Sequence, residues 1–407
     1  MANDASKSSG ITAKLGLQPQ ESPQMIATNH SKLFIGLPKE RAFQEQRIGL
    51  TPEAVEILVA QGHRVTIEHD AGKECGFYDY MYSEAGADIT KNTEEVFKAD
   101  TIIKVAPPTL FELELLQMEQ TLISPIHMPT LSKEYLYYLM KKRTTAIAFE
   151  HIRDTEDGFP FVSSMSEIAG ISSIQIAAEY LSNANNGKGL LLGGISGVPP
   201  TKIVILGAGV VGTSAARAAL GMGAQISVFD DNLYKLQRLQ DKVNQRVFTS
   251  ILSSEIIARE LETADIVIGA IHNTNGRTPV IVSDQMVSNM KSGSVIIDIS
   301  IDQGGCFATS ELTSHEKPTY IKHDVIHYCV PNIPSRVAKT ASHALSHILY
   351  PILNRSFKAG GISQQIHIEK GIRQGVYSYN GHLTNEHLAR KFDMKYTNLD
   401  LVFMAGM

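Results

Sequence analysis

Tryptophan is absent from the 407-residue chain, and cysteine occurs only three times. The missing tryptophan excludes nothing about function. The cysteines, Cys75, Cys306 and Cys329, lie far apart and form no Cys-x-x-Cys pair. An odd count with that spacing argues against a disulfide framework and against a zinc site, so no metal is expected and a reducing cytoplasm fits. Long apolar runs are missing too. No stretch reaches the roughly 18 residues of a spanning helix, so no membrane segment is expected. The opening MANDASKSSG lacks the apolar core of a signal peptide. Excess positive charge is also lacking: 37 Lys and Arg against 42 Asp and Glu give a formal net charge of -5. That balance offers no bulk attraction to nucleic acid or to an anionic membrane.

What remains is ordinary globular material, 43% hydrophobic and 19% charged, with room for two domains. Residues 1–31 are polar and aperiodic and read as a disordered or loosely docked extension. From Lys32 onward, strand and helix patterns alternate. A short strand over Leu33–Gly36 precedes a helix opened by Thr51-Pro52-Glu53 and ended by Gly62. Further strands are expected at Arg64–Glu68, Thr101–Val105, Thr121–Ser124 and Thr145–Phe149. Ser166 to about Asn183 reads as one long helix, and the Gly-rich Gly187–Pro200 as a junction. A second alternating series runs from Thr201 to about Asn332. A helix beginning at Thr340 and a polar helical tail to Met407 complete the pattern. The alternation predicts an α/β fold with parallel sheets covered on both faces.

One local motif carries strong chemistry. A buried strand, Ile203–Leu206, runs into Gly207-Ala208-Gly209-Val210-Val211-Gly212, then a helix over Thr213–Met222. A second strand, Gln225–Phe229, ends at Asp230. Gly207 permits the tight turn, Gly209 lets backbone approach a pyrophosphate, and Gly212 lets helix and strand pack closely. The helix N-terminus attracts phosphate, and Asp230 is placed to accept from ribose hydroxyls. An acid there repels a 2′-phosphate, so NAD is favoured over NADP, and Asp231 adds to that. A Gly-rich turn that binds nothing is the bland alternative.

Chemistry beyond cofactor binding needs a substrate clamp and a proton-transfer group. Arg47 lies in a polar loop, Lys104 inside the expected strand Thr101–Val105, and His127 just after the strand in ISPIHMP. Each has a bland reading: a surface ion pair for Arg47, an edge-strand lysine reaching water for Lys104, a structural imidazole for His127. Asp302 is better placed. It follows the strand Ser294–Ile301, beside Gly304 and Gly305, and ligands in open α/β sheets bind outside the carboxyl ends of strands. Its bland reading is a turn-capping acid. Asp298, inside that strand, reads as structural.

Taken in order, the segments GLPKE, EQRIGLTPEAV, IIKVAPP, MSEIAG, LLLGGISGVPP, ILGAGVVG, SGSVIIDISIDQGGC and HYCVPNIPSRVAKTAS resemble a known family. It is the alanine dehydrogenase family, shared with the nicotinamide nucleotide transhydrogenase alpha subunit. The resemblance runs from about Gly36 to Tyr350. It implies two doubly wound parallel-sheet domains, with a Rossmann NAD domain (161–338) inserted into a discontinuous substrate domain (32–160 and 339–407). It implies that Arg47 and Lys104 hold the substrate carboxylate, that His127 is the acid/base, and that Asp302 is the second catalytic residue. On the cofactor side it implies Ser166, Gly207, Gly209, Val210, Val211, Gly212, Asp230, Lys235, Ile271, His272, Ile299, Asp302, Val330, Asn332 and Ile333. The chain departs from the family at Ile271-His272, at Asn273–Arg277 and at Pro331. The implied reaction is reversible NAD-dependent oxidative deamination of L-alanine to pyruvate and ammonium, in a cytoplasmic homohexamer. Another amino-acid dehydrogenase of the family, an NAD(H)-binding transhydrogenase-like subunit, and a non-catalytic NAD binder are the alternatives.

Overall fold

The computed structural model describes residues 32–126, 131–273 and 276–404. The expected extension 1–31 and the candidate His127 lie outside the described residues.

The first α/β series builds strands β1 (Phe34–Leu37), β2 (Arg64–Glu68), β3 (Asp88–Thr90), β4 (Thr101–Ile103), β5 (Thr121–Ser124) and β6 (Thr145–Ala148). All pair in parallel. The second series builds β7 (Lys202–Leu206), β8 (Gln225–Phe229), β9 (Phe248–Ser250), β10 (Ile266–Gly269), β11 (Val295–Asp298), β12 (Thr319–Lys322) and β13 (Val325–Tyr328). Its order is β12-β13-β11-β10-β7-β8-β9. The central strands are apolar throughout because both faces are covered. Pleating sorts them cleanly. Ile203, Ile205, Ile268 and Ile297 enter one core, while Val204, Leu206, Val267 and Ile296 enter the core on the opposite face.

The chain then returns to the first sheet. The helix Ala338–Ala359 buries Leu345, Leu349 and Leu353 against Ile103 and its neighbours. Its Ser342 and Ser346 accept the Ile48 and Thr51 amides at 2.9 and 3.1 Å. Strands β14 (Val376–Tyr379) and β15 (His382–Leu383) then extend that sheet to the order β15-β14-β6-β5-β4-β1-β2-β3.

Several expectations change here. The segment after the long helix is not purely helical, since β14 pairs antiparallel with β6 and with β15. Neither sheet is wholly parallel, because β12 also pairs antiparallel with β13. The strand expected over Thr101–Val105 stops at Ile103. The strand expected to reach Ile301 stops at Asp298 and passes into a 3-10 turn, Ile299–Gln303. The long helix spans Pro160–Leu181, starting earlier than expected with Pro in its first turn. The nucleotide-turn helix spans Val210–Gly221. Thr51 makes no side-chain cap bond to its helix.

In each sheet the strand order switches direction at the first strand, between β1 and β4 in the first and between β7 and β10 in the second. Such points open crevices at the carboxyl ends of the strands. Both crevices carry the candidate chemistry: Lys104 follows β4, Gly207 follows β7, and Ile271 and His272 follow β10. Among the described residues, no helix is long and apolar enough to cross a membrane.

Candidate functional site

A cavity of about 340 Å³ opens between the two sheets. From the first it takes Arg47, Val105, Pro125, Phe149 and Glu150; from the Pro160–Leu181 helix, Phe161, Met165 and Ser166; from the second, Val211, Ile271, His272, Ile299, Asp302, Gln303 and Asn332. Phe149 and Phe161 stack with centroids 4.8 Å apart and form an apolar wall. Arg47, Ser166, Val211, Ile271, His272, Ile299, Asp302 and Asn332 are therefore brought together. Lys104, Gly207, Gly209, Val210, Gly212, Asp230, Lys235, Val330 and Ile333 do not line this cavity.

Arg47 is held by a residue the sequence did not mark. Its Nε donates to Glu45 Oε1 at 2.7 Å and its Nη2 to Glu45 Oε2 at 2.6 Å. Burial alone would lift the Glu45 carboxyl, but Arg47 outweighs it and holds the carboxyl below its ordinary value. Among the described residues, Nη1 meets only the weak acceptor Met165 Sδ, at 3.3 Å. The guanidinium thus presents one free corner to the cavity, suited to a carboxylate.

Lys104 is not an edge lysine reaching water. It is 1% exposed, and its Nζ sits 2.9 Å from both Glu40 and Glu112. Burial would lower its pKa, but the two carboxylates reverse that and keep the ammonium charged. Glu40 in turn is raised by burial despite Lys104, and its Oε1 accepts the Val105 amide at 2.5 Å. Lys104 stands one residue behind the cavity wall formed by Val105.

Asp302 rides on the 3-10 turn after β11. It lines the cavity and is itself exposed, with the cavity walls close around it. Loss of hydration raises its pKa to about 6, while the Asn332 amide and Arg47 pull the other way. Asp298 supports the turn from beneath and is fully buried. Its oxygens accept Ser300 N and Cys306 N at 3.0 Å each, and Ser310 Oγ at 2.6 Å. One carboxyl therefore faces the cavity and the other folds the loop that carries it.

The glycine turn has the form that a pyrophosphate needs. Gly207 has φ +109, and a Cβ there would meet Ala270 O at 2.3 Å. A Cβ on Gly212 would lie 1.8 Å from Gly207 O, whereas a Cβ on Gly209 would meet nothing within 4 Å. Gly209 thus leaves open space at the N-terminus of the Val210–Gly221 helix, which fits a dinucleotide's phosphates. Asp230 accepts the Ala208 amide at 2.7 Å and the Asn232 amide at 2.9 Å. Lys235 Nζ lies 3.7 Å from it. A carboxylate has further lone pairs, so Asp230 can still accept from ribose hydroxyls.

His272 is exposed and lies 3.4 Å from Gln303 Nε2, with its pKa lowered by partial burial and then by Lys235. Val330 and Ile333 are buried beside Asn332 and shape the loop from within. Sequence reasoning missed Glu40, Glu45, Glu112 and Glu150, the partners and wall groups of the candidate cations. It also left Gly170 without a role. A Cβ there would meet Val211 O at 2.3 Å, so glycine lets the long helix press on the nucleotide helix.

The comparisons agree with this architecture. Residues 36–169 match the family described as alanine dehydrogenase/PNT, N-terminal domain, and residues 173–386 match alanine dehydrogenase/PNT, C-terminal domain. An alanine dehydrogenase of Methanococcus maripaludis is 40% identical over 374 residues, 90% of this chain and 98% of that protein. Alanine dehydrogenase 2 of Staphylococcus aureus is 38% identical over 371 residues, with the same shares. A solved L-alanine dehydrogenase superposes with a TM-score of 0.83 at 37% identity, covering 88% of this chain and 99% of its own. A transhydrogenase from Sinorhizobium meliloti shares the fold, with a TM-score of 0.74 at 22% identity over 87% of this chain and 99% of its own. The chain belongs to the alanine dehydrogenase/PNT family.

Proposed function

We propose that the protein is an NAD-dependent L-alanine dehydrogenase, converting L-alanine and water reversibly to pyruvate and ammonium. The observation that carries this reading is one cavity holding Arg47 from the first sheet and Asp302 from the second. A free guanidinium corner suits the carboxylate of a small amino acid. A carboxyl with its pKa raised to about 6 is ionised at alkaline pH and stabilises the cationic imine formed on oxidation. NAD, when bound, supplies the hydride acceptor. The apolar stack of Phe149 and Phe161 keeps water from the reacting carbon and suits a methyl side chain.

In this reading Arg47 anchors the substrate carboxylate. Lys104 supplies positive charge behind Val105 and reaches the substrate once it is released from one of its two glutamates. His127 is the acid/base, the role that the family resemblance gives it. Asp230 selects NAD over NADP through the ribose, and Gly209 with the first turn of its helix receives the pyrophosphate. Ser166, Val210, Val211, Gly212, Lys235, Ile271, His272, Ile299, Val330, Asn332 and Ile333 complete the cofactor bed. The substrate domain is 32–160 with 339–407, the nucleotide domain 161–338, and the active form a cytoplasmic homohexamer.

An amino-acid panel with NAD, followed by NADH absorbance, tests this. Alanine should give the highest kcat/KM. A different preferred amino acid would make the protein a sister dehydrogenase, and NADH binding without any turnover would favour a transhydrogenase-like or regulatory binder. Sedimentation tests the hexamer.

A further inference from the structure

The cavity holds a second carboxyl besides Asp302. Glu150 follows β6, at the edge where neighbouring β5 ends, and lines the cavity. Its Oε1 accepts the Ile126 amide at 2.6 Å. Its Oε2 is buried and has no hydrogen-bond partner among the described residues. Among the described residues, no cation pairs with it. Burial is the dominant influence and raises its pKa to about 7, against the pull of the Ile126 amide.

The groups around it do not supply the missing charge. Behind it stand the phenols of Tyr135, on the helix Lys133–Lys141, and Tyr377, on β14. Their hydroxyls lie 3.4 Å apart. Burial keeps both protonated, and the charge of Glu150 adds to that. His151, next in the chain, is exposed. Arg47 lines the same cavity, but its strongest donors are taken by Glu45. An unpaired buried carboxylate is costly. The described residues offer no positive partner, and an amino acid brings one in its ammonium.

We propose that Glu150 is a further catalytic residue, the group that takes a proton from the substrate ammonium. The proposal rests on the deamination reading above. In this step an N–H bond of the ammonium breaks and its electron pair stays on nitrogen. The proton bonds to Glu150 Oε2. A neutral amine and a neutral carboxylic acid result, and nothing is oxidised or reduced. The freed nitrogen lone pair then forms the C=N bond as the Cα–H leaves with its electrons. Burial favours the transfer twice, raising the pKa of the acid and lowering that of the ammonium, so a desolvated ion pair relaxes toward a neutral pair. In the reductive direction the protonated Glu150 returns the proton to the new amine.

The test compares wild type with Glu150→Gln. Glutamine keeps an oxygen for the Ile126 amide and cannot titrate. In wild type, kcat/KM for amino-acid oxidation should rise with pH through an ionisation near 7. The variant should lose that ionisation and about 10²-fold in kcat/KM, with NADH binding unchanged. Infrared difference spectra of the two ligand-free proteins give a readout without turnover. A protonated carboxyl should be present in wild type below pH of about 7 and absent above it. A variant with wild-type kcat/KM and pH profile, or spectra without a titrating carboxyl, overturns this assignment alone. A wild type that oxidises no amino acid overturns the deamination reading with it.

Discussion

Asn332 Nδ2 donates to Glu45 Oε2 at 3.0 Å, the same oxygen that Arg47 Nη2 contacts at 2.6 Å. One carboxylate from the first sheet's loops thus holds a candidate substrate cation and a loop of the nucleotide half together. Next to it, Ser335 Oγ accepts the Gln46 amide at 3.0 Å and donates to Gln44 O at 2.7 Å. The wall of the cavity is thus stitched across the seam between the two halves. Glu45→Gln keeps the size and removes the charge. It should raise KM for pyruvate more than it lowers kcat, because Arg47 loses its fixed orientation; steady-state kinetics in the reductive direction check this.

Asp302→Asn should retain NADH binding and lose about 10²–10³ in kcat, the scale of one electrostatic group at a developing charge. Fluorescence titration with NADH and a turnover assay measure the two sides. Turnover like wild type would remove Asp302 from the chemistry.

Lys104→Met tests stability and function together. It strands Glu40 and Glu112 in a buried site, and breaking such a pair costs about 3–5 kcal/mol. Chemical denaturation should show that loss, and pyruvate reduction should vanish. Kinetics unchanged from wild type would take Lys104 out of the clamp.

Two glycines three residues apart should separate folding from binding. Gly209→Ala points its methyl into open space, so the melting temperature should hold while NADH affinity drops by about tenfold or more. Gly212→Ala drives a methyl into Gly207 O and should cost about 1–3 kcal/mol in overpacking. Equal melting temperatures for the two variants would contradict this geometry.

Glu150 makes stability depend on pH. Its pKa rises from 4.5 unfolded to about 7 folded. The native state therefore binds the proton more tightly, and the stability this contributes is full below pH 4.5 and lost as pH rises to about 7. Glu150→Gln should match or trail wild type in acid and gain on it through that window. Melting curves across the range decide it; a pH-independent difference would mean that the carboxyl does not titrate there.

Much of this was legible where the signal is local. The turn from β7 through Gly207 to Gly212, and Asp230 at the end of β8, could be read because strand, glycine and acid lie within one βαβ unit. The end of β11 was misread for a local reason too. Ile299 and Ile301 continue the apolar alternation, but Asp298 Oδ1 captures the Ser300 amide at 3.0 Å and folds the chain into a 3-10 turn. The partners of the cations were not legible. Glu40 and Glu112 meet at Lys104 only once β1 and β4 lie side by side, and no spacing in the chain announces that. Strand β14, VYSY, is too short and too mixed in composition to be told from the helices around it.

Strand β14 also bears on how the chain assembles. Val376 lies opposite Ile147, so the first sheet closes only when residues far along the chain come back to it. The second sheet needs nothing beyond β13, since its strands run consecutively from Lys202 to Tyr328. Contacts of long sequence separation form slowly, and domains tend to form as units during synthesis. The nucleotide half should therefore be folded while β6 still waits, with an open edge, for its last neighbour.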